Sequence, residues 1–350
     1  MKYPRLLIDE SKLKHNIDTV AKWCRQWNVS CFAVTKVVCA HPKVVELIEE
    51  SEIDGFADSR IENLMKIRTA KPKMLLRIAS PHEAEAVVEH SDISLQSELS
   101  VIAALNSAAQ RLNRRHKIVL MIDLGDLREG IYYTERDKIL KNAEQISKAS
   151  HLELYGIGTN LTCYGAILPD ERNLAELVAI ANRLRVELKS PIPLVSGGNS
   201  SSVSLMLKGR MPAGINHLRI GEAIMLGQDT ADCVTFPGLH DDAFLLEAEL
   251  VELMRKPSKP FGRANRNAFG EPVHYEDRGI QLRGILAVGR QDVPADGLIP
   301  VESGIEILGA SSDHLLVNIE SGDYAVGDTL RFKLNYGALL AACTSAYVAK

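Results

Sequence analysis

The chain has 350 residues, 46% of them hydrophobic and 25% charged, which is the composition of an ordinary soluble protein with two domains or one enlarged barrel. Its 41 basic and 45 acidic residues give a formal net charge of −4, so nothing in the charge balance favours binding to nucleic acid or to a membrane surface. No secretory or membrane-spanning apolar run is found, and a cytoplasmic location is expected. The six scattered cysteines argue against a zinc site and a disulfide framework.

Short apolar runs alternate with amphipathic stretches over the first two-thirds of the chain, and this pattern predicts strands that are each followed by a helix. The predicted strands are, in chain order, Leu6–Asp9, Cys31–Lys36, Gly55–Ala57, Lys73–Arg77, Ile93–Leu95, Ile118–Asp123, Leu152–Thr159, Pro193–Ser196 and His217–Ile220. Clear helical spacing covers Glu98–Arg111 and Asp170–Leu188, and Ser11 is a candidate N-cap for the first helix. Such repeated units favour an α/β fold with a closed (β/α)8 TIM-like barrel over an open sheet.

The pattern changes after about Thr235, where helical periodicity fades and turn residues separate short β-like runs. These runs are Phe244–Met254, Gly279–Val288, Glu306–Leu308, Leu315–Ile319 and Thr329–Leu334. We therefore predict a barrel domain over residues 1–235 and a C-terminal all-β domain over residues 236–350. Residues 1–10 are assigned to the barrel with pairing to the β domain as the alternative.

Lys36 closes the second predicted strand, and a lysine at the end of a buried strand needs an explanation. Burial lowers the pKa of a lysine and suits its amine to form a Schiff base with an aldehyde. The alternative is an ordinary lysine whose ammonium group reaches solvent. Functional residues of a barrel lie at the C-terminal ends of its strands. The candidates that share this position are Lys36, Asp123, Arg128, Asn160, Ser196 and Arg219.

Three polar segments at these strand ends carry candidate binding groups. Ser196–Ser202, with two glycines and four serines, either binds a phosphate or caps its helix, and it lacks the Walker lysine of a P-loop. Arg219 either faces the pyridine nitrogen of a cofactor, which it would keep unprotonated, or pairs with a carboxylate. Asp123–Gly130 either holds a zwitterionic substrate or is a salt-bridged loop. Gly156-Ile157-Gly158 lacks the third glycine of a dinucleotide fingerprint.

The segment Gly309–His314 contains serine, aspartate and histidine, as a hydrolase site does. Adjacent residues of an extended segment point to opposite faces, so we do not expect these side chains to form a catalytic relay with one another. A carboxylate that pairs with a cationic group of the substrate is the better functional hypothesis for this segment.

In this order and spacing, the motifs resemble those of fold-type III pyridoxal-phosphate enzymes, the alanine racemase-like family, over nearly the whole chain. Ala33–Lys36 resembles the strand of the cofactor-binding lysine, and Asp123–Gly130 resembles the D-x-G-x-x-R-x-G segment. Asn199-Ser200 resembles the phosphate-binding pair. Arg219–Glu222 resembles the Arg-x-Gly segment, and Asn335-Tyr336 resembles the Asn-Tyr segment of the β domain.

The resemblance implies pyridoxal 5'-phosphate as the cofactor and an amino acid as the substrate. The residues it assigns to the cofactor are Lys36, Asn199, Ser200, Arg219, Gly221, Glu222 and Tyr336. It also places Arg128 by the substrate carboxylate. Finally, it implies a homodimer in which the β domain of one subunit completes the site of its partner.

A closer likeness within this family rests on five stretches, which are Phe56–Arg60, Asp123–Gly130, Asn160–Gly165, Val195–Ser202 and Ile307–Leu315. In these stretches the chain is similar to bacterial ornithine racemases and related predicted amino acid racemases. Gly309–Asp313 also resembles the G-x-x-C-D segment of ornithine decarboxylase, which implies that Asp313 contacts the distal ammonium of a basic substrate. The implied activity is racemisation of a basic amino acid, ornithine first. The alternatives are a basic amino acid decarboxylase, which Ser312 in place of the cysteine disfavours, and a non-catalytic cofactor carrier, which the C-terminal residues disfavour.

Three positions depart from the pattern of alanine racemase. Asn160 stands where a histidine packs over the cofactor ring, Ala40 replaces a tyrosine, and Phe261 occupies the region of the tyrosine that acts as the second base. Lys36 is the expected base on one face of the α-carbon, and the second acid/base stays open, with Tyr275 and Cys163 preferred on chemistry. The full set of candidates is Tyr275, Cys163, Tyr336 and Asp313.

Overall fold

The computed structural model describes residues 2–263, 265–267, 269–272 and 274–350. The chain divides into two compact units, of which one is Glu10–His240 and the other combines Met1–Asp9 with Asp241–Lys350. The first unit extends beyond Thr235 because its last residues are held within it. Phe236 packs edge-on against Trp23 with ring centroids 5.6 Å apart, and Asn16 exchanges two hydrogen bonds of 2.8 Å with the backbone of His240.

The chain begins with strand β1 (Arg5–Ile8) and then alternates helices with strands throughout the first unit. The helices are α1 (Glu10–Gln26), α2 (Pro42–Glu49), α3 (Ile61–Lys66), α4 (Ala84–His90), α5 (Leu99–Arg111), α6 (Arg136–Lys148), α7 (Glu171–Leu188), α8 (Val203–Leu207) and α9 (Glu222–Leu226). The strands are β2 (Ser30–Val34), β3 (Gly55–Asp58), β4 (Lys73–Leu75), β5 (Ile93–Gln96), β6 (His116–Asp123), β7 (Ile131–Tyr132), β8 (Leu152–Gly158), β9 (Leu194–Ser196), β10 (His217–Ile220), β11 (Gln228–Asp229) and β12 (Val234–Thr235).

Eight of these strands form a closed parallel barrel, which confirms the predicted fold. Their order is β5-β4-β3-β2-β10-β9-β8-β6, and the pairing of β5 with β6 closes the ring. Side chains that alternate along the strands fill the interior as a packed core. The apolar cluster consists of Phe32, Val34, Ala57, Met74, Ile93, Leu95, Val119, Met121 and Leu194.

The glycines of β8 serve the approach of strand β9. A Cβ atom on Gly156 would lie 2.3 Å from the Leu194 carbonyl oxygen, and one on Gly158 would lie 3.2 Å from Ser196 Cβ. Any side chain at the first position would therefore separate the two strands. The Gly156-Ile157-Gly158 sequence thus has a packing role in the barrel wall.

The second unit is built on one antiparallel sheet and ends in a helix. Its elements besides β1 are β13 (Phe244–Pro257), β14 (Ile280–Leu286), β15 (Leu298–Pro300), β16 (Ile305–Ala310), β17 (Leu315–Ile319), β18 (Thr329–Leu334) and α10 (Tyr336–Thr344). The sheet order is β15-β18-β13-β14-β17-β16, and β1 adds to β13. Leu6 pairs with Leu246 in this sheet, and Arg5 forms an ion pair with Glu247. The first predicted strand therefore belongs to this unit and not to the barrel.

Three local predictions differ from the structure. Strand β2 ends at Val34, so Lys36 begins a short 3-10 turn just beyond the strand that was expected to contain it. Ser11 lies inside α1, which begins at Glu10, and is not its N-cap. Helix α10 was not predicted, because its apolar sequence has no polar face to give a helical period. Within the described part of the chain, every helix is too short or too polar to cross a membrane.

Because His116 and His217 are buried, we expect the free energy of unfolding to decrease in acid. Burial lowers the pKa of His116 to about 4, and burial together with the Arg219 charge lowers the pKa of His217 to about 3. Unfolded histidine has a pKa of about 6.5, so below that pH the unfolded chain binds more protons than the folded one. The free energy of unfolding should therefore be constant above about pH 6.5 on this account. Toward about pH 4 it should fall by ~1.4 kcal/mol per pH unit for each histidine.

Urea unfolding measured at a series of pH values checks this prediction. Replacing His116 by glutamine, which keeps a hydrogen-bonding side chain beside Ser94, should remove one histidine's share of the slope between about pH 6.5 and 4. A slope that is the same in the variant and the natural protein would show that His116 does not cause the acid sensitivity.

Candidate active site

Lys36 lies in a turn that the preceding residue, Thr35, attaches to strand β3. The Thr35 hydroxyl donates to Asp58 Oδ2 at 2.7 Å, and the Thr35 N–H donates to the Ala57 carbonyl at 3.0 Å. Burial lowers the pKa of Lys36 below that of an ordinary lysine, and the Arg128 charge lowers it further, against opposing effects of Cys163, Asp58 and Glu129. The lysine amine is therefore closer to its neutral, nucleophilic form than a surface lysine would be.

The Asp123–Gly130 loop is folded around its first carboxylate. Asp123 Oδ1 accepts the N–H of Gly125 at 2.8 Å and of Leu127 at 3.2 Å. Gly125 and Gly130 have φ values of +114° and +122°, and a Cβ on Gly130 would lie 2.7 Å from the Asp123 nitrogen. The D-x-G-x-x-R-x-G pattern therefore follows from the shape of the loop.

The Arg128 side chain extends from this loop and contacts the Glu129 carboxylate and the Asn160 amide. It forms a two-point ion pair with Glu129, whose side chain is only 15% exposed. The Asn160 amide accepts from Asn199 Nδ2 at 3.3 Å, and its other end lies 3.1 Å from Arg128 Nη2. Because Asn199 Nδ2 also donates to the Leu161 carbonyl at 2.8 Å, Asn160 can turn its oxygen toward the guanidinium group.

The loop of residues 160–167 is attached to the Arg128 loop through Asp126. The buried Asp126 carboxylate accepts the backbone N–H groups of Cys163, Tyr164 and Ile167 at 3.4, 3.1 and 3.2 Å. Both aspartates of the Asp123–Gly130 segment are thus used to fold loops. The Cys163 side chain is exposed and interacts electrostatically with Lys36, Arg128 and Arg219.

The Ser196–Ser202 loop is ordered by its own side chains. Asn199 Oδ1 accepts the Ser201 N–H at 2.9 Å, and the Ser202 hydroxyl donates to the Gly197 carbonyl at 2.7 Å. Ser200 Oγ accepts the N–H of Gly221 at 3.3 Å and of Ala223 at 3.2 Å, which ties this loop to the end of β10. The Asn199 side chain is fully used within the protein.

Strand β10 contributes a buried arginine and, just past its end, a partly buried glutamate. Arg219 is 3% exposed and donates through Nη2 to the Thr159 carbonyl at 2.7 Å. Burial lowers the Arg219 pKa to about 10. Gly221 lies against β2, where a Cβ would meet Val34 Cβ at 3.1 Å. Burial raises the pKa of Glu222 to about 7, although the Lys36 charge opposes the rise.

The barrel thus brings the predicted residues of the first unit together at the C-terminal ends of its strands. Lys36, Arg128, Cys163, Arg219 and Glu222 are connected by electrostatic interactions. Glu129 and His217 were not among the predicted site residues. Glu129 lies within a motif that was identified, and an acidic residue beside its arginine was the available signal. His217 carried no local signal, because its partner is on another strand.

The remaining candidates, Tyr275, Tyr336 and Asp313, lie in the second unit. The Tyr275 side chain is 43% exposed. Tyr336 begins α10, and Asn335 caps that helix by accepting the Ala338 N–H at 2.8 Å. Asp313 accepts hydrogen bonds from Ser311 and Ser312, and these bonds lower its pKa.

The expectation for Gly309–His314 is wrong in its geometry. The Ser311 N–H donates to the His314 carbonyl at 2.8 Å, so the segment is a turn and its side chains meet. Ser311 Oγ lies 3.0 Å and His314 Nδ1 3.2 Å from Asp313 Oδ1. The Ser311 hydroxyl donates to the Asp313 carboxylate and to the His314 backbone carbonyl, and not to the imidazole ring, so a nucleophile–base pair is not formed in this turn.

Comparisons with known proteins agree with this architecture. The family model described as the alanine racemase N-terminal domain matches residues 8–229. The chain is 46% identical to an ornithine racemase of Acetoanaerobium sticklandii, with 99% of both chains covered. It is 38% identical to a lysine racemase of Thermotoga maritima, over 100% of this chain and 98% of that protein. The solved alanine racemase of Streptomyces coelicolor A3(2) superposes with a TM-score of 0.77 at 15% identity, covering 99% of this chain and 97% of that one.

Proposed function

This chain belongs to the alanine racemase family, and on that premise we propose that it racemises a basic amino acid, with ornithine as the preferred substrate. The enzyme is a pyridoxal-phosphate-dependent isomerase. The observation that carries the proposal is the half-buried Lys36, whose lowered pKa reflects burial and the Arg128 charge and which also interacts with the Cys163 thiol. The similarity to an ornithine racemase supports ornithine, and the similarity to a lysine racemase supports the wider class.

The residues at the strand ends fit pyridoxal phosphate. The hydroxyl groups of Ser201 and Thr159 are buried and have no hydrogen-bond partner among the described residues, and a phosphate or a hydroxylated ring could satisfy such groups. A Cβ on Gly197 would lie 2.5 Å from Ile215 Cγ2, so the loop backbone can lie there only without a side chain. In this proposal, Lys36 would bind the aldehyde group of the cofactor and Arg219 would face its ring nitrogen. The Asn199–Ser201 and Gly221–Glu222 segments would bind its phosphate. When bound, the cofactor supplies the electron sink for the carbon acid.

The protein groups then hold the substrate and move its α-proton. Arg128 binds the carboxylate through its planar fork, whose orientation the Glu129 ion pair fixes. Lys36, with its lowered pKa, removes or returns the proton on one face. Arg219 presents a buried permanent positive charge to the ring nitrogen and so disfavours its protonation.

The second acid/base is assigned to Cys163 or Tyr275. Cys163 is supported by its position, because its thiol interacts with Lys36 and Arg128 in the same unit. Tyr275 is supported by its chemistry and its exposed side chain. In the second case the phenol is delivered by the β unit, in keeping with a homodimer whose subunits share active sites.

A homodimer is also supported by exposed apolar side chains in the two loops that carry Arg128 and Cys163. A group of exposed apolar side chains with polar residues around it is typical of an interaction surface. These residues are Leu127 (64% exposed), Tyr132, Tyr164 (78% exposed), Ile167 and Leu168.

Substrate preference tests the assignment of Asp313 to the distal ammonium group. Replacing Asp313 by asparagine removes the charge and should raise KM for ornithine about tenfold, since the charge-assisted hydrogen bond to the distal ammonium is lost from an exposed side chain that solvent screens. Activity toward alanine, which has no distal ammonium, should change less than about twofold. Chiral chromatography after incubation with L-ornithine, L-lysine, L-arginine and L-alanine measures both.

Asp323→Asn, which removes an exposed carboxylate elsewhere in the same unit, is the matched control and should not change KM. An equal loss with ornithine and alanine in Asp313→Asn would contradict the assignment. Release of CO₂ from ornithine without formation of the D-enantiomer would instead favour a decarboxylase.

A further inference from the structure

A line of buried polar groups lies under Arg219 and connects three neighbouring strands. Arg219 donates through Nη1 to Ser196 Oγ on β9 and through Nη2 to the Thr159 carbonyl at the end of β8. Ser196 Oγ also lies 2.8 Å from His217 Nδ1. His217 and Arg219 are two residues apart on β10 and so face the same side of the barrel wall. Both Ser196 and His217 are fully buried.

The donors and acceptors of this line favour one placement of its protons. A guanidinium group only donates, so Ser196 Oγ accepts from Arg219. The Ser196 hydroxyl proton then has His217 Nδ1 as its acceptor, in the tautomer that carries its lone pair at Nδ1 and its proton at Nε2. A hydroxyl that donates to one partner becomes a stronger acceptor for the next, so His217 strengthens the hydrogen bond that Arg219 donates to Ser196 Oγ.

His217 is held in place at a cost that packing alone does not explain. Its ring makes an edge-on contact with Phe32, with centroids 4.7 Å apart, and Phe32 in turn lies over Gly55, where a Cβ would meet the ring at 2.7 Å. His217 Nε2 is buried without a hydrogen-bond partner among the residues that the structure describes. An apolar side chain would avoid the cost of burying that unpaired nitrogen. What the histidine adds at this position is the acceptor Nδ1.

We propose that His217 is a positioning residue of the cofactor site, which orients the Ser196 hydroxyl and thereby fixes the Arg219 guanidinium group for the ring nitrogen of the cofactor. The proposal rests on the proposed function for the identity of the cofactor, while the orientation of Ser196 is a property of the protein alone. Two of the five guanidinium N–H groups are used by Ser196 and Thr159, which leaves the others for the cofactor. A protonated His217 would reverse the serine hydroxyl, and burial beside Arg219 prevents this by lowering its pKa to about 3.

Determining the tautomer of His217 is the first test, and this measurement needs neither bound cofactor nor enzyme activity. Nitrogen-15 NMR of the cofactor-free protein should show a neutral ring protonated at Nε2, unchanged from neutral pH down to about pH 5. A ring protonated at Nδ1, or one that titrates near pH 6.5, would overturn the proposal.

Substitutions test the effect on the cofactor. In His217→Phe, the Kd for pyridoxal phosphate should rise about tenfold and kcat should fall about tenfold. The reason is that the charge-assisted hydrogen bond from Arg219 to Ser196 loses its alignment. The pH midpoint of the bound cofactor's visible absorbance should also shift. In His217→Gln, whose side-chain oxygen can accept from Ser196, most of the loss should be recovered. The matched control is His116→Phe, which removes another buried histidine–serine pair, 2.9 Å from Ser94, and should lower stability without changing the absorbance midpoint.

The outcomes separate this proposal from the proposed function. A folded His217→Phe protein with unchanged Kd and absorbance midpoint overturns the positioning role, as does an equal change in His116→Phe. If the natural protein binds the cofactor but racemises nothing, the proposed function fails and the spectroscopic test still applies. If His217→Phe does not fold, the tautomer measurement and His217→Gln decide the question.

Discussion

Replacing Lys36 by alanine is expected to lower the rate of ornithine racemisation by at least about 10⁴-fold, because the residue serves both as the covalent attachment of the cofactor and as a base. The turn that carries Lys36 is held by Thr35 and Asp58, so the variant should fold normally. Initial rates measured by chiral chromatography, with circular dichroism to check the fold, provide the test.

A second substitution at Lys36 separates the role of the amine from that of its charge, and a substitution at Lys66 is the control. Lys36→Arg keeps a positive charge that cannot be removed, and it should be as inactive as Lys36→Ala. Lys66→Ala removes an exposed lysine of helix α3 that donates to the Cys39 carbonyl and to Asn63 Oδ1, and it should keep activity within about twofold. Retention of more than about a tenth of the activity in either Lys36 variant would contradict the role of the amine.

The direction of the Lys36 pKa shift adds a pH dependence to this prediction. A base must be unprotonated, so the activity should rise with pH through the pKa of Lys36. Because burial lowers that pKa, the rise should be complete at a lower pH than the ordinary lysine pKa of about 10.4 would allow.

Replacing Arg128 by alanine is expected to lower kcat/KM for ornithine by about 10²–10³-fold, chiefly through KM. The substrate carboxylate would lose a two-point, charge-assisted contact, and each such hydrogen bond contributes ~1.5–3 kcal/mol. Arg128→Lys should recover little, because an ammonium group does not reproduce the planar fork. Steady-state kinetics with a full range of ornithine concentrations gives KM and kcat separately.

The control for Arg128 is a more exposed arginine on the outer helices that also pairs with a glutamate. Arg136 of α6 pairs with Glu176 of α7 at 3.3 Å, and Arg136→Ala should not change KM. Removal of Arg128 also leaves the shielded Glu129 carboxylate without its ion pair, so some loss of thermal stability is expected. An Arg128→Ala protein with normal KM for ornithine would show that the carboxylate binds elsewhere.

The barrel and the grouping of the candidate residues at one end of it could be predicted because both leave local patterns in the sequence. Buried parallel strands appear as short apolar runs, and the residues just after them face the same end of the barrel. Lys36 and Arg219 were identified in this way, although Lys36 lies in a turn beyond β2. The Asp123–Gly130 motif was visible because two glycines with positive φ occur at fixed spacing around one carboxylate.

The connections between these residues could not be predicted, because they join side chains that are distant in sequence. The hydrogen bond between His217 and Ser196 joins two neighbouring strands, β10 and β9. Asp126 binds the backbone of a loop that begins more than thirty residues later. The turn at Ser311–His314 differs from the extended segment that the sequence suggested, since a backbone hydrogen bond closes it. Helix α10 lacks the polar face on which recognition of a helix depends.

Incubation of the cofactor-loaded protein with L-ornithine in deuterium oxide tests the central claim most directly. Proton NMR and chiral chromatography should show D-ornithine forming until the two enantiomers are equal, with the α-hydrogen replaced by deuterium and no CO₂ released. Ornithine that keeps its α-hydrogen and its L-configuration, or that loses its carboxylate, would contradict the racemase assignment.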